Sequence, residues 1–197
     1  MAMKRIYWII IAAVAVFLLV PGCNSYNSMV EMEENVSKTW ADVETQYQRR
    51  SDLIPNLVAT VKGYADFEQK TLTDVIEARS KASSINIDPS NLNAQSLQQF
   101  QSAQGELSSA LSRLMVVVER YPDLKANEQF MSLQAELAGT ENRITIARNK
   151  FNKVAQEYNT SIKKFPKRFY ASLFGFDEAA YFKSEIGADK APEVSFE

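Results

Sequence analysis

The chain of 197 residues contains no histidine. That absence removes the commonest general base, the usual proton shuttle and the most frequent metal ligand together. A single cysteine, Cys23, allows no intrachain disulfide. Glycine and proline are scarce at six each, no stretch alternates apolar and polar residues in the manner of a half-buried strand, and no low-complexity tract interrupts the chain. A basic surplus is lacking too: the formal charge is −2, and with Lys4 and Arg5 set aside acidic side chains outnumber basic ones by four. Such a surface offers no general attraction to a phosphate backbone, so nucleic acid is not an expected partner. Gly-rich phosphate loops are missing, no serine or cysteine nucleophile has a base, and the Glu-x-x-His pairs of di-iron bundles cannot be built without histidine. No catalytic, cofactor-binding or metal-ligating residue is therefore assigned. No cofactor or small-molecule substrate is expected, and the chain reads as a non-enzyme.

What is present begins at the N-terminus. Lys4 and Arg5 precede fifteen unbroken apolar residues, Ile6 to Val20, and then Pro21-Gly22-Cys23. Two readings compete for residues 1–23. In one the segment is a retained transmembrane anchor, short against the roughly 20 residues a spanning helix wants, with the basic pair holding the N-terminus in the cytoplasm. In the other Val20-Pro-Gly-Cys23 is a lipoprotein signal, with Pro21 atypical for it and Cys23 as the lipidation candidate; a plain signal peptide is a third. Both favoured readings tether residues 24–197 on the non-cytoplasmic face of a membrane.

Beyond the anchor, apolar residues recur at three- and four-residue steps, which predicts four amphipathic helices at about 27–50, 53–82, 93–121 and 124–165. Met29, Val36, Trp40, Val43 and Tyr47 mark the first stripe; Ile54, Leu57, Val58, Val61, Leu72, Val75 and Ile76 the second. Leu97, Phe100, Ala103, Leu107, Leu111, Leu114 and Val118 mark the third, and Met115 to Val118 is apolar all round, which implies burial on most sides. The fourth stripe, Phe130, Leu133, Leu137, Ile144, Ala147, Phe151, Val154, Tyr158, Ile162 and Phe165, is close to a heptad repeat. Between the first two helices, Asp52 can cap a new helix with Pro55 in its first turn. The apolar phase is nearly preserved there, so one Pro-kinked helix is the alternative. A turn is preferred, because a helix from 27 to 82 would run roughly 80 Å. Ser83 to Asn93 reads as a polar loop. Proline spacings near 34 invite a helical-repeat reading, but the segments do not align. The expected fold is all-α: an antiparallel up-and-down four-helix bundle over residues 24–182, with 183–197 as a polar tail.

Tyr26-Asn-x-Met-Val30, Gln48-Arg-Arg-Ser-Asp-Leu-Ile-Pro-Asn-Leu-Val58, Val61-Lys-Gly-Tyr64, Glu141-Asn-Arg-Ile144, Ala147-Arg148, Tyr158-Asn159, Phe165-Pro166 and Leu173-Phe-Gly-Phe176 resemble the LemA family of bacterial envelope proteins. Two departures are small: Ser51 stands where the family usually carries Tyr or Ala, and Phe67 where it often has His before Glu68. The resemblance implies a membrane-anchored four-helix bundle with no settled molecular function, some members looking like organisers of membranes or of envelope protein quality control.

Three groups of residues are candidates for more than packing. Glu68, Arg79, Glu141 and Arg148 lie near apolar seams and are expected to form one ion-pair network, or a polar groove, between the second and fourth helices. The motif Arg49, Arg50, Asp52, Leu53, Ile54, Pro55 and Asn56 is expected at the end of the bundle away from the membrane, as helix caps or as a docking tip for another envelope protein. Lys163, Lys164, Lys167 and Arg168, interleaved with aromatics, are expected beside the bilayer, lysines toward lipid and aromatics inward. The expected role is an envelope-anchored scaffold or adaptor with an unidentified protein partner. The alternative is a membrane-organising protein acting through lipid contact and self-association; a carrier of a small ligand in the core is a third reading.

Overall fold

The computed structural model describes residues 2–63, 68–89 and 92–183, with the backbone alone at 2–5 and 9–21. All regular structure among these residues is helical: α1 Ala2–Lys62, α2 Gln69–Ser84, α3 Ala94–Val118, α4 Pro122–Lys125, α5 Glu128–Lys163 and α6 Lys167–Phe174.

α1 holds 61 residues, about 90 Å at 1.5 Å per residue. The break expected near residues 50–53 is absent. Asp52 caps nothing; it lies inside the helix and accepts from Gln48 Nε2 at 2.8 Å, one turn back. The apolar phase decides the matter. Val43, Ile54, Leu57 and Val61 are all fully buried on one continuous face, and a turn at 50–53 would rotate that face out of register. The chain leaves the helix ten residues later, at Gly63, so the expected second helix is divided: residues 53–62 finish α1 and only 69–84 form α2.

α2 returns antiparallel to α1: it starts soon after Lys62, and near its end Arg79 and Ser83 reach back to Ser51, the two hydroxyls 2.8 Å apart. α3 runs antiparallel to α2, tied by Lys81–Glu106 and Glu68–Arg120, and its start is fixed by a reciprocal cap between Asn93 and Ser96. The loop before it is less polar in function than in composition, because Ile87 is buried against the core. α4 is a single turn opened by Pro122. Asn127 then caps α5 by accepting from the Phe130 amide at 3.0 Å. α5 descends antiparallel to α1, with Arg50 opposite Glu141 and Asp42 opposite Lys150.

Two apolar clusters follow. The one at the Lys62 end draws on α1, α2, α3 and α5 around Leu57, Leu107, Leu114 and Phe130. The other joins α1, α5 and the start of α3 around Trp40, Phe100 and Phe151, and is completed by Phe182 from the C-terminal segment. Trp40 sits between three rings: Phe100 at 5.3 Å, Phe151 at 5.7 Å and Phe182 at 5.9 Å. The stripes read from the periodicity are mostly buried, with exceptions. Val116 is 72% exposed, so the apolar run in α3 is not enclosed, and Phe165 is 91% exposed because α5 stops short of it.

α1 is helical through Pro21 and continues without a break into the folded part. The side chains that would make residues 1–23 an anchor lie mostly outside the described ones, and among the described residues no helix is long and apolar enough to cross a membrane. Of the expected tail 183–197, only Lys183 is described.

Candidate functional site

The centre of the molecule is a charge. Arg50 is 1% exposed, and its guanidinium lies where α1, α3 and α5 meet. Nη1 donates to Glu141 Oε1 at 2.6 Å and to Ser108 Oγ at 2.9 Å. Nη2 donates to Gln104, to the side-chain oxygen at 2.5 Å and to the backbone carbonyl at 3.3 Å. The Tyr47 ring, one turn earlier, faces the guanidinium at 5.0 Å. Glu141 keeps its side chain half in water, so the carboxylate stays solvated while the guanidinium is enclosed. Isolated, a buried charge would be very costly; a planar fork with four hydrogen bonds makes this one tolerable. Gln104 also donates to Ala82 O at 3.4 Å, which carries the tie across to α2. Burial is the main cause that raises the Tyr47 hydroxyl above its usual pKa; Arg148 and Arg50 oppose it and Glu141 adds to it.

A second polar tie depends on Pro55. Inside a helix, proline has no N–H for the carbonyl four residues back. That carbonyl belongs to Ser51, which is buried, and it accepts instead from Arg79 Nε on α2 at 2.8 Å. Pro55 thus frees an acceptor and α2 returns a donor to it, so the helix passes through the proline and gains a contact with its neighbour.

The expected network of four charges is not assembled. Glu68 pairs with Arg120 at 3.0 Å in the exposed turn after α3, Arg79 serves Ser51, and Glu141 serves Arg50. Arg148 donates to Lys183 O at 3.2 Å and lies over the Phe182 ring at 4.7 Å. The hub is Arg50, which capping logic alone would leave at a helix end. The motif 49–56 is likewise not a tip: Arg50 lies twelve residues before the end of α1, about 18 Å along the axis. Leu53 is half-buried, Ile54 is buried, and Pro55 and Asn56 are exposed. Arg49 and Asp52 border an open groove of about 830 Å3 that also touches Gln48, Ser83, Asn86 and Phe100. Among the described residues, no group of acids or cysteine could hold a metal ion.

Two asparagines hold the C-terminal segment: Asn159, met in the sequence only within the Tyr158-Asn159 motif, and Asn152, which sequence reasoning passed over. Asn159 donates to Ala179 O and accepts from Ala179 N, both at 2.8 Å. Asn152 treats Phe182 the same way, at 3.0 and 2.9 Å. Seven residues apart on one face of α5, they grip an extended strap as a neighbouring strand would. The signal was there to read: two amides inside an apolar stripe have to be answered by something.

At the other end, the basic-aromatic stretch departs from the expected arrangement at Lys167 and at the exposed Phe165, Phe169 and Leu173. Lys167 turns inward, donating to Ser28 Oγ at 2.8 Å and Ser161 Oγ at 3.1 Å, and Lys163 pairs with Glu178 at 2.6 Å. Lys164 and Arg168 are exposed. Phe176 and Phe174 lie edge-on to Tyr26 at 5.6 and 5.1 Å and Tyr170 packs on the core, while Phe165, Phe169 and Leu173 are exposed. The reason is at the base of α5. The Ser28 and Ser161 hydroxyls lie there and draw the Lys167 ammonium in, which fixes the rotation of α6 and sends the opposite face out.

Comparison with known proteins agrees with the motifs that line this geometry. Magnetosome protein MamQ 2 of Paramagnetospirillum magneticum is 27% identical over 183 residues, covering 83% of this chain and 66% of its own length. Magnetosome protein MamQ of Magnetospirillum gryphiswaldense is 26% identical over the same span and coverage. Protein LemA of Metamycoplasma hominis is 25% identical over 164 residues, covering 81% of this chain and 70% of its own. The chain therefore spans about two thirds of the length of the magnetosome relatives it matches. None of these names denotes an enzyme. The model of the LemA family matches residues 39–196, a stretch that includes Arg50, Pro55, Arg79, Glu141 and both strap asparagines, and the chain belongs to the LemA family.

Proposed function

We propose that this chain is a membrane-anchored helical scaffold or adaptor of the bacterial envelope, working by contact and not by catalysis. The observation that carries the reading is the continuity of α1: one helix bears the apolar run Ile6–Val20 at one end and the buried Arg50 tie toward the other. With that run in a bilayer and Lys4-Arg5 retained in the cytoplasm, the folded part stands on the non-cytoplasmic side. It is then held at a set angle, with no flexible linker. The retained anchor is the form this continuity favours over a signal cleaved before Cys23. The architecture is an up-and-down four-helix bundle at the Lys62 end that narrows toward the membrane to α1, α5, α6 and the strap.

A partner docks best along the flank, where Arg49 and Asp52 border the open groove, and not at the distal end. Crosslinking in native membranes from a photoreactive residue at position 49 tests this. Recurrent adducts with one other envelope protein are expected; adducts only with lipid or with a second copy refute the adaptor reading. A membrane-organising role is the second reading, favoured by the outward aromatics of α6 and consistent with relatives named as magnetosome proteins.

A further inference from the structure

A short helix docked on a water-soluble body buries its apolar side and shows water its polar side. α6 departs from that rule. Its inward face carries Lys167, Tyr170 and Ala171, with the one ammonium held on Ser28 and Ser161. Its outward face carries Phe169 and Leu173, four residues apart and 66% and 65% exposed, and Phe165, in the turn before the helix, is 91% exposed. Together the three make an exposed apolar strip. Between α6 and α1 lies an apolar groove of about 450 Å3, bounded by Cys23, Tyr26, Phe169, Tyr170, Leu173 and Phe174.

The position of this strip matters as much as its composition. Tyr170 of α6 packs against Gly22, where an added Cβ would come within 3.1 Å of its ring. Gly22 follows the apolar run of α1 by two residues, about 3 Å along the helix axis. If the run lies in a bilayer, α6 is at the level where acyl chains give way to headgroups. Lys164 and Arg168 border the strip, and among the described residues no salt bridge engages either of them. Cations beside exposed aromatics suit an anionic interface. A second protein fits less well. Three phenylalanines of roughly 200 Å2 each, at 91%, 66% and 49% exposure, leave about 400 Å2 open before Leu173 is added. A stable protein interface takes about 800 Å2 from each partner.

We propose that α6 is an in-plane lipid contact. Phe165, Phe169 and Leu173 enter the acyl boundary of the leaflet that α1 leaves, and Lys164 and Arg168 bind its anionic headgroups. This rests on the anchored reading of α1, and the test separates the two. The full chain in a Cys23→Ser background, spin-labelled in turn through Ile10→Cys, Phe169→Cys, Leu173→Cys and Glu106→Cys, is reconstituted into vesicles of phosphatidylethanolamine with phosphatidylglycerol. Collision with oxygen is compared with collision with a water-soluble nickel chelate. Expected is an oxygen-dominated response at 10, 169 and 173 and a nickel-dominated one at 106. Exchange of Lys164 and Arg168 for Glu should shift 169 and 173 toward nickel while leaving 10 unchanged. Lipid exposure at 10 with water exposure at 169 and 173 overturns the α6 contact and leaves the anchor standing. Water exposure at 10 overturns the anchor and this inference with it. Labels at 169 and 173 shielded from both reagents mean that protein covers the strip, which also overturns it.

Discussion

Replacing Arg79 by Ala isolates the Pro55 tie. The side chain supplies the donor to Ser51 O at 2.8 Å, and Ser51 is 5% exposed, so water does not readily take its place. A hydrogen bond from a charged donor to a buried acceptor contributes about 1.5–3 kcal/mol, which sets the expected loss for Arg79→Ala. Pro55→Ala restores the missing N–H to the same carbonyl and removes a residue that costs about 3 kcal/mol in a helix interior. Alone it should stabilise. In the Pro55→Ala background the acceptor has its helical partner back, and Arg79→Ala should then cost under about 1 kcal/mol. The expected coupling is about 1–2 kcal/mol, outside the additivity that independent sites show. For a domain of this size 1 kcal/mol moves the midpoint by about 2–4 °C, so four melts followed by far-UV circular dichroism in mild detergent resolve the cycle. If the two substitutions add to within about 0.5 kcal/mol, Arg79 does not replace the proline's missing hydrogen bond and the account of the unbroken helix fails.

Four further outcomes are expected. Arg50→Ala should destabilise by about 2–4 kcal/mol, since it strands Gln104 and Ser108 and leaves a cavity at the junction of three helices; a melt within 2 °C of the unmodified chain would contradict the hub assignment. Asn152→Ala with Asn159→Ala should release the strap, so that limited proteolysis cuts near residues 177–183 while the midpoint falls by only a few degrees; unchanged cleavage would show that Phe182 alone holds the segment. Gly175 ends α6 at φ 78° with Gly175 N and Phe176 N both on Ala171 O at 3.0 Å, and Gly175→Ala should cost about 1 kcal/mol, read as a shift of the urea midpoint with unchanged slope. Burial is the largest cause raising the Tyr47 and Tyr158 hydroxyls above their usual pKa. The unfolded chain therefore loses these protons first, near pH 10, and stability should hold below that pH and fall as pH rises beyond it. Phenylalanine at both positions should flatten the alkaline limb, and an unaltered limb would assign the loss elsewhere.

Periodicity identified most of the core because burial on a helix follows local geometry. Trp40, Leu57, Phe100, Leu107, Phe130 and Phe151 are buried where a 3.6-residue period puts them. The same logic misjudged positions where a partner decides. Asp52 and Pro55 suit the start of a helix as well as they suit a bend within one. The apolar phase carried the helix through, and Arg79, 28 residues from Ser51, took up the carbonyl that the proline leaves free. Arg50 is a plausible C-terminal cap until Gln104 and Glu141, 54 and 91 residues distant, enclose it. Lys167 reads as a lipid-facing cation until Ser28, 139 residues earlier, draws it inward.

By itself, then, the sequence determined an all-helical class, most of the apolar stripes and the family. These follow from side-chain spacing and residue type, which each segment carries alone. Only the tertiary structure decided which charge lies inside, whether a proline ends a helix or ties it to a neighbour, and which face of α6 is left open. Each depends on a donor or acceptor delivered from far along the chain, and a buried polar group takes its conformation from the partner that satisfies it.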